Sequence, residues 1–220
     1  MRDLPFDREP ANSTFFPFHP RLHGKRTVRQ FGKRKDNPPE IKHADKNNFT
    51  RDSLNGFIRY QEVKNVYRMT DRRMTLVRHP FTEDRDAARR VQKAEEILSG
   101  RYITYCAFEE NRAVGEIMLL PQLNEGRLVI DSFHVSAEYR RQGIGRALFE
   151  AAKKEALKRG ARALYASCCS AEETISFYLA MGFRLSPDPI PACAEEEPFD
   201  LQTECPVPEN ASDSVKVNDK

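Results

Sequence analysis

No stretch of this chain approaches the ~20 consecutive apolar residues of a membrane span, so a soluble protein without a membrane partner is expected. No secretory leader is expected at the start. Asp3, Asp7 and Glu9 interrupt it and no apolar core follows, and the same acids argue against a transit peptide. Cysteine is sparse and unpatterned: there are five, an odd number, with Cys168 and Cys169 adjacent. Neither a disulfide framework nor a C-x-x-C metal pattern can be written for them. A reducing cytoplasm, with no bound metal, is the expected setting. No internal repeat is present, and no Walker lysine accompanies the glycines.

What is present suffices for one domain of ordinary size. Of 220 residues, 39% are hydrophobic, yet 14 are proline and the mean hydropathy is -0.69. Those last figures point to ends that do not fold. Residues 1–40 carry nine Lys and Arg against five Asp and Glu, while the remainder carries 27 against 28. The net charge of +3 is therefore a property of the first segment. Its cations (Arg21, Lys25, Arg26, Arg29, Lys33, Arg34, Lys35) are expected to be a solvated, disordered arm, and nucleic acid is not expected as a partner. The expected organisation is a basic tail over 1–40, a folded domain over 41–205 and a second tail over 206–220.

Within the domain, a short helix is expected over 51–59 and a hairpin of 62–68 with 74–78 around Thr70-Asp71-Arg72-Arg73. Ala87, Ala88, Val91, Ala94, Ile97 and Leu98 recur at helical spacing, and Gly100 stands where a helix ends. The arginines of the 85–90 run are assigned to a solvated face of that helix. Three strands are expected at 102–108, 113–120 and 127–135, with turns between them. A helix to about Lys158, a strand at 163–169, a helix at 172–181 and a last strand within 198–205 complete the order. The result is an α/β sheet with helices on both faces, and the crossover over 127–169 sets two parallel strands side by side.

The most informative segment is Arg140-Arg141-Gln142-Gly143-Ile144-Gly145. It lies between the β-branched run Arg127-Leu-Val-Ile-Asp-Ser-Phe-His-Val135 and an amphipathic helix in which Ile144, Ala147, Leu148, Ala151 and Ala152 share a side. A turn that leads into a helix N-terminus presents unpaired N–H groups and a positive dipole end, which together bind phosphate. Gly143 and Gly145 are expected to let the backbone approach the ligand closely. A dinucleotide fingerprint fits less well, because Leu148 stands where the third glycine or alanine would be.

These residues resemble the GNAT superfamily of acyl-CoA-dependent N-acyltransferases over 41–205, most specifically over 127–183. The family's phosphate loop, R/Q-x-x-G-x-G/A, is filled by Arg140, Gly143 and Gly145. The aliphatic residue eight positions before the first glycine is Val135. The family's aromatic-Tyr pair and Gly-Phe exit match Phe177-Tyr178-Leu-Ala-Met-Gly182-Phe183. The segment Glu197 to Cys205 is similar to the close of a poorly characterised bacterial subgroup, which implies no substrate. One departure is Ala171, where many members have Asn seven residues before the tyrosine; Ser170 or Glu173 are the candidate substitutes.

The resemblance implies a mixed central sheet with antiparallel N-terminal strands, a splayed parallel pair and helices on both faces. It implies acetyl-CoA as cosubstrate, bound by Phe133, His134, Val135, Arg140, Arg141, Gln142, Gly143, Ile144, Gly145 and Arg146. The implied reaction is direct transfer of acetyl to a primary amine in a ternary complex. Tyr178 is the expected general acid toward the departing thiolate. Asp131 is the expected base, with Glu116 as an alternative, and His134 is assigned to the wall of the site. The acceptor is expected to be a small-molecule or peptide amine, drawn in by Glu195-Glu196-Glu197 if it is cationic, and a homodimer is left open. The alternative from another class is a non-catalytic acyl-CoA-binding sensor or interaction module.

Overall fold

The structure, a computed structural model, describes residues 38–70, 73–84 and 87–208. Apart from their innermost residues, the tails expected over 1–40 and 206–220 lie outside the described residues. The elements in chain order are β1 (Glu40–His43), β2 (Tyr60–Thr70), β3 (Arg73–Asp84), α1 (Ala87–Leu98), β4 (Ile103–Glu109), β5 (Arg112–Leu119) and β6 (Arg127–Val135). There follow α2 (Ile144–Lys158), β7 (Ala163–Cys168), α3 (Glu172–Ala180), β8 (Arg184–Leu185), α4 (Pro191–Glu196) and β9 (Leu201–Pro206). Seven strands make one sheet in the order β1-β4-β5-β6-β7-β9-β8, and β2 pairs with β3 in a separate ribbon. In the large sheet only β6 and β7 run parallel. This is the mixed sheet with antiparallel N-terminal strands and one parallel pair that the sequence implied. No helix among the described residues is long and apolar enough to cross a membrane.

Helices cover both faces of the sheet. On one face, α2 and α3 bury Leu148, Phe149, Ala152 and Ile175 against Ile117, Leu128, Ile130 and Leu164. Each such large side chain contributes about 1.5–3 kcal/mol when fully withdrawn from water. Close approach of α2 depends on Gly115 of β5, since a Cβ there would stand 3.0 Å from Leu148 Cδ1 and 3.1 Å from Ile144 Cγ2. On the other face, α1 and the 3-10 turn Arg51–Leu54 set Ala94, Ile97, Leu54 and Phe57 over Cys106, Phe108 and Met118. Buried Arg127 anchors the base of β6: it pairs with Glu125, donates to the Asp188 carbonyl and lies over the Tyr165 ring.

Three local outcomes differ from the sequence reading, each with a physical cause. The helix expected over 51–59 stops at Leu54, because Asn55 is extended and Gly56 turns the chain at φ +79°. The hairpin is longer than expected and continues through Pro80. A register shift between Val63 and Asn65, where Val63 faces Phe81 and Asn65 faces Arg78, takes up the proline that cannot donate to the ladder. Strands β1 and β8 and helix α4 escaped notice because four, two and six residues carry too little periodicity to read.

The feature that positions the site is a bulge in β6. Met118 faces Ser132 and Leu119 faces Ile130, so Asp131 is the extra residue on that strand. Parallel pairing with β7 also ends there, at Ile130 opposite Ala166. From Asp131 to Val135 the strand keeps β5 on one side and diverges from β7 on the other, which opens the splay. The bulge also resets the alternation of side chains. Phe133 and Val135 point to the α2/α3 face, and Ser132 and His134 join Glu116 on the opposite face.

Candidate active site

Gly143 takes the N-cap position of α2 at φ +87°, a left-handed conformation that glycine adopts without strain, and Arg141 before it sits at φ 63°. The first backbone bond that closes the helix runs from the Ala147 N–H to the Gly143 carbonyl at 3.0 Å. The amides of Ile144, Gly145 and Arg146 therefore belong to the unclosed first turn. A Cβ built on Gly143 meets nothing within 4 Å. That combination of an open face, unclosed amides and a positive helix end fits a phosphate group.

The two glycines have different surroundings: a Cβ on Gly145 would stand 3.1 and 3.2 Å from the Phe177 ring, so this glycine makes room for α3. Ile144 is buried in the core beneath the loop. Arg140 folds back to donate from Nε to the Val135 carbonyl at 3.1 Å, and burial lowers its pKa against the opposing charge of Glu83. Gln142 caps the Glu138 carbonyl with its side-chain amide. Arg141 and Arg146 are the exposed cations of the loop.

Below the splay lies an aromatic stack. Phe133 of β6 meets Phe177 and Tyr178 edge-on, with ring centroids 5.4 and 6.3 Å apart, and Tyr178 packs at 4.9 Å on Phe183. Tyr178 neighbours the Cys168 thiol at the end of β7. Burial, with the neighbouring Cys168 next in importance, holds the phenol well above its ordinary pKa. It is thus a protonated donor at neutral pH. Burial likewise pushes the Cys168 thiol up, and the Cys169 thiol up to about 11, so neither is an activated nucleophile.

On the opposite face, Glu116 accepts from the Ser132 hydroxyl at 2.9 Å and pairs with His134 Nδ1 at 2.8 Å; Ser132 Oγ is also 3.1 Å from that ring nitrogen. Glu116 is 2% exposed, and among the described residues its Oε2 has no hydrogen-bond partner. Burial alone would raise this carboxyl. The hydrogen bond and charge of His134, the charge of Lys93 and the Ser132 hydrogen bond outweigh it and hold the pKa below the usual carboxylate value. Glu116 is accordingly an ionised carboxylate kept ionised by a histidine, an arrangement that orients an imidazole and steadies its charged form.

Glu116 and His134 open into a cleft of about 380 Å³, mouth included, lined further by Leu54, Phe57, Arg59, Arg89, Arg90 and Lys93. Here the sequence reading of α1 is corrected. Val91 is 52% exposed and Ala88 is exposed, whereas Ala94 and Ile97 are buried. The inward stripe is therefore 90, 93, 94, 97, an i, i+3, i+4, i+7 set whose first half is basic. Arg90 lines the cleft half-buried instead of lying on a solvated face, while Arg89, also at the cleft, is exposed as expected. The period was visible in the sequence; the basic start of the stripe hid it, because apolar residues alone were counted.

The remaining candidates fall as follows. Asp131 is exposed at the bulge, while Glu116 and His134 share the cleft. Ala171 is fully buried against Val63 and Val66 of β2, so the ribbon's apolar side occupies the place where an asparagine would project. Ser170 is engaged by Arg68 at 2.6 Å and Glu172 by Asn65 at 2.7 Å, both from β2, and Glu173 is exposed. Of the acidic triplet, Glu195, Glu196 and Glu197 are exposed and line no part of the cleft. Glu197 instead shares a hydrogen bond with Asp200, whose carboxyl is pushed up to about 7 by burial, by Glu197 and by Glu83 of β3. Among the described residues no group of three or more His, Cys, Asp or Glu could hold a metal ion.

Comparison with solved structures gives the same fold. A nourseothricin acetyltransferase aligns with a TM-score of 0.59 and 19% identity, over 77% of this chain and 98% of its own. A protein of Bacillus anthracis str. Ames assigned to streptothricin acetylation, solved with acetyl coenzyme A, aligns with a TM-score of 0.59 and 16% identity, over 76% and 97%. At such identities the likeness is one of fold alone. No curated protein sequence matches. The family model for the acetyltransferase (GNAT) family matches residues 64–183, which holds most of the ribbon, the bulged strand, the glycine loop and the Phe177-Tyr178 helix. The chain belongs to the acetyltransferase (GNAT) family and is an acyltransferase.

Proposed function

We propose that this protein transfers the acetyl group of acetyl-CoA to a primary amine by direct attack within a ternary complex. The observation that carries the reading is the opening of β6 from β7 at Asp131, with a phosphate-binding helix end on one side and the Glu116–His134 pair on the other. The Bacillus anthracis structure, solved with acetyl coenzyme A, supports the choice of cosubstrate.

The residues divide the work as follows. Amides of Gly143 to Arg146, with Arg141 and Arg146, take the pyrophosphate. Backbone groups of Phe133, His134 and Val135, no longer paired to β7, hold the thioester arm and stabilise the carbonyl oxygen as it gains charge. His134 takes the ammonium proton at Nε2, and the neutral nitrogen attacks the carbonyl carbon. Glu116 is a positioning residue that fixes the ring and steadies the imidazolium. A C–N bond forms, the C–S bond breaks, and the sulfur leaves toward Tyr178. A phenol held this far above its ordinary pKa is a weaker acid than a thiol. Its role is to donate a hydrogen bond to the developing thiolate; the second proton, shed by the attacking nitrogen as the tetrahedral intermediate collapses, makes the CoA thiol, and the first passes from His134 to solvent. Asp131 is the competing base.

The test is calorimetric titration of the protein with acetyl-CoA and desulfo-CoA, beside Gly143→Glu, followed by CoA release in the presence of an amine panel. Saturable binding that the variant loses, and amine-dependent release, are expected. Absence of binding by the folded wild type overturns the reading.

A further inference from the structure

The cleft that holds Glu116 and His134 carries more than a base. Four cations, Arg59, Arg89, Arg90 and Lys93, come to it from two separate segments, and its one carboxylate is Glu116. Lys93 is shared with Glu96 at 2.6 Å, and the charge of Glu116 is committed to His134. Leu54 and Phe57 form the apolar wall, 4% and 7% exposed. Cations around a low-dielectric wall focus a positive field into the cleft. Glu116 lines the cleft, and its Oε2 is buried and without a hydrogen-bond partner among the described residues.

Resting on the amine-transfer reading of this site, we propose that the acceptor is a primary amine that also carries a carboxylate, such as an amino acid. Arg90, Lys93 and Arg59 seat the carboxylate, and the amine sits toward Glu116 and His134. Two physical arguments converge. Guanidinium groups match a carboxylate in a two-pronged arrangement, while a polycationic acceptor would be repelled from the same cleft. Nearby cations also disfavour the charged form of an amine, so the field that seats the anion helps to release the proton the nucleophile must lose.

The experiment measures kcat/KM for each common L-amino acid against its own carboxamide, with acetyl-CoA binding measured in parallel. The expected result is a preference for the free carboxylate on the order of tenfold in at least one pair. That preference should fall toward unity in Arg90→Gln and in Arg59→Gln, and invert in a Lys93→Glu variant whose melting temperature shows that it folds. Equal or reversed preference with ongoing transfer overturns the carboxylate and leaves amine acetylation standing. Acetyl-CoA binding with no transfer to any member overturns the amino-acid acceptor and leaves amine acetylation to the wider amine panel. Lack of acetyl-CoA binding removes the underlying reading itself.

Discussion

Alanine at Gly143 and at Gly145, two residues apart, should produce different defects. At Gly143 the added Cβ has nothing within 4 Å, so no packing is lost, but φ +87° must be held by an L side chain. That strain costs about 1–2 kcal/mol. At Gly145 the backbone is helical and alanine would be favoured by about 1 kcal/mol. Against this stands a contact of 3.1 Å with the Phe177 ring, an overpacking cost of about 1–3 kcal/mol. Thermal unfolding should report a Tm lowered by about 2–4 °C per kcal/mol at this chain length. Gly143→Ala should also weaken acetyl-CoA binding in calorimetry, because its Cβ occupies the open face. Gly145→Ala should retain affinity and lose stability, with much of the loss recovered in Gly145→Ala/Phe177→Leu. A coupling of about 1 kcal/mol between those two sites is expected. Unchanged affinity in Gly143→Ala, or lost affinity without coupling to Phe177 in Gly145→Ala, would refute the assignment of the two glycines.

The parts of this fold that were legible are those whose pattern is local. The strand, glycine turn and helix over 127–158 announce themselves through β-branched residues, two glycines and a 3.6 period, and β6 and α2 end within a residue or two of the expected points. The cleft was illegible for a different reason. A bulge at Asp131 leaves no mark in the sequence of β6, yet it decides that Ser132 and His134, rather than Asp131, share a face with Glu116. Sequence reasoning named Asp131 as the base because it lies in the same strand as the expected thioester site, and Glu116 as the alternative on the neighbouring strand, without assigning either to a face. Likewise, Ala171 is intelligible only once β2 is seen to lie on it through the Val66 bridge, a contact more than 100 residues distant in the chain. Function here is assembled by contacts between distant segments, whereas the phosphate loop is assembled by neighbours.

Three further outcomes test the site and its surroundings. Tyr178→Phe should retain acetyl-CoA affinity while kcat falls on the order of 10- to 100-fold, the loss of one hydrogen bond made mainly in the transition state; full activity would remove the phenol from the reaction. Glu116→Gln and His134→Gln should each lower kcat on the order of 10²-fold or more with Asp131→Asn nearly unaffected, and the opposite ranking would return the base to Asp131. The last concerns Asp200, whose carboxyl is raised to about 7 by burial, by Glu197 and by Glu83. Its proton is held more tightly in the folded state than in the unfolded chain, where the ordinary value is 3.8. The resulting stability is fully present below pH 4 and drains away as pH rises through about 7. At about 1.4 kcal/mol per unit the shift sets an upper bound of about 4 kcal/mol. Urea unfolding between pH 4.5 and 8 should therefore show a decline that Asp200→Asn flattens, since the amide keeps the neutral form at every pH. A parallel profile in the variant would mean that the β3, α4 and β9 ends are not drawn together by this proton, and that the carboxyls there are held apart by solvent.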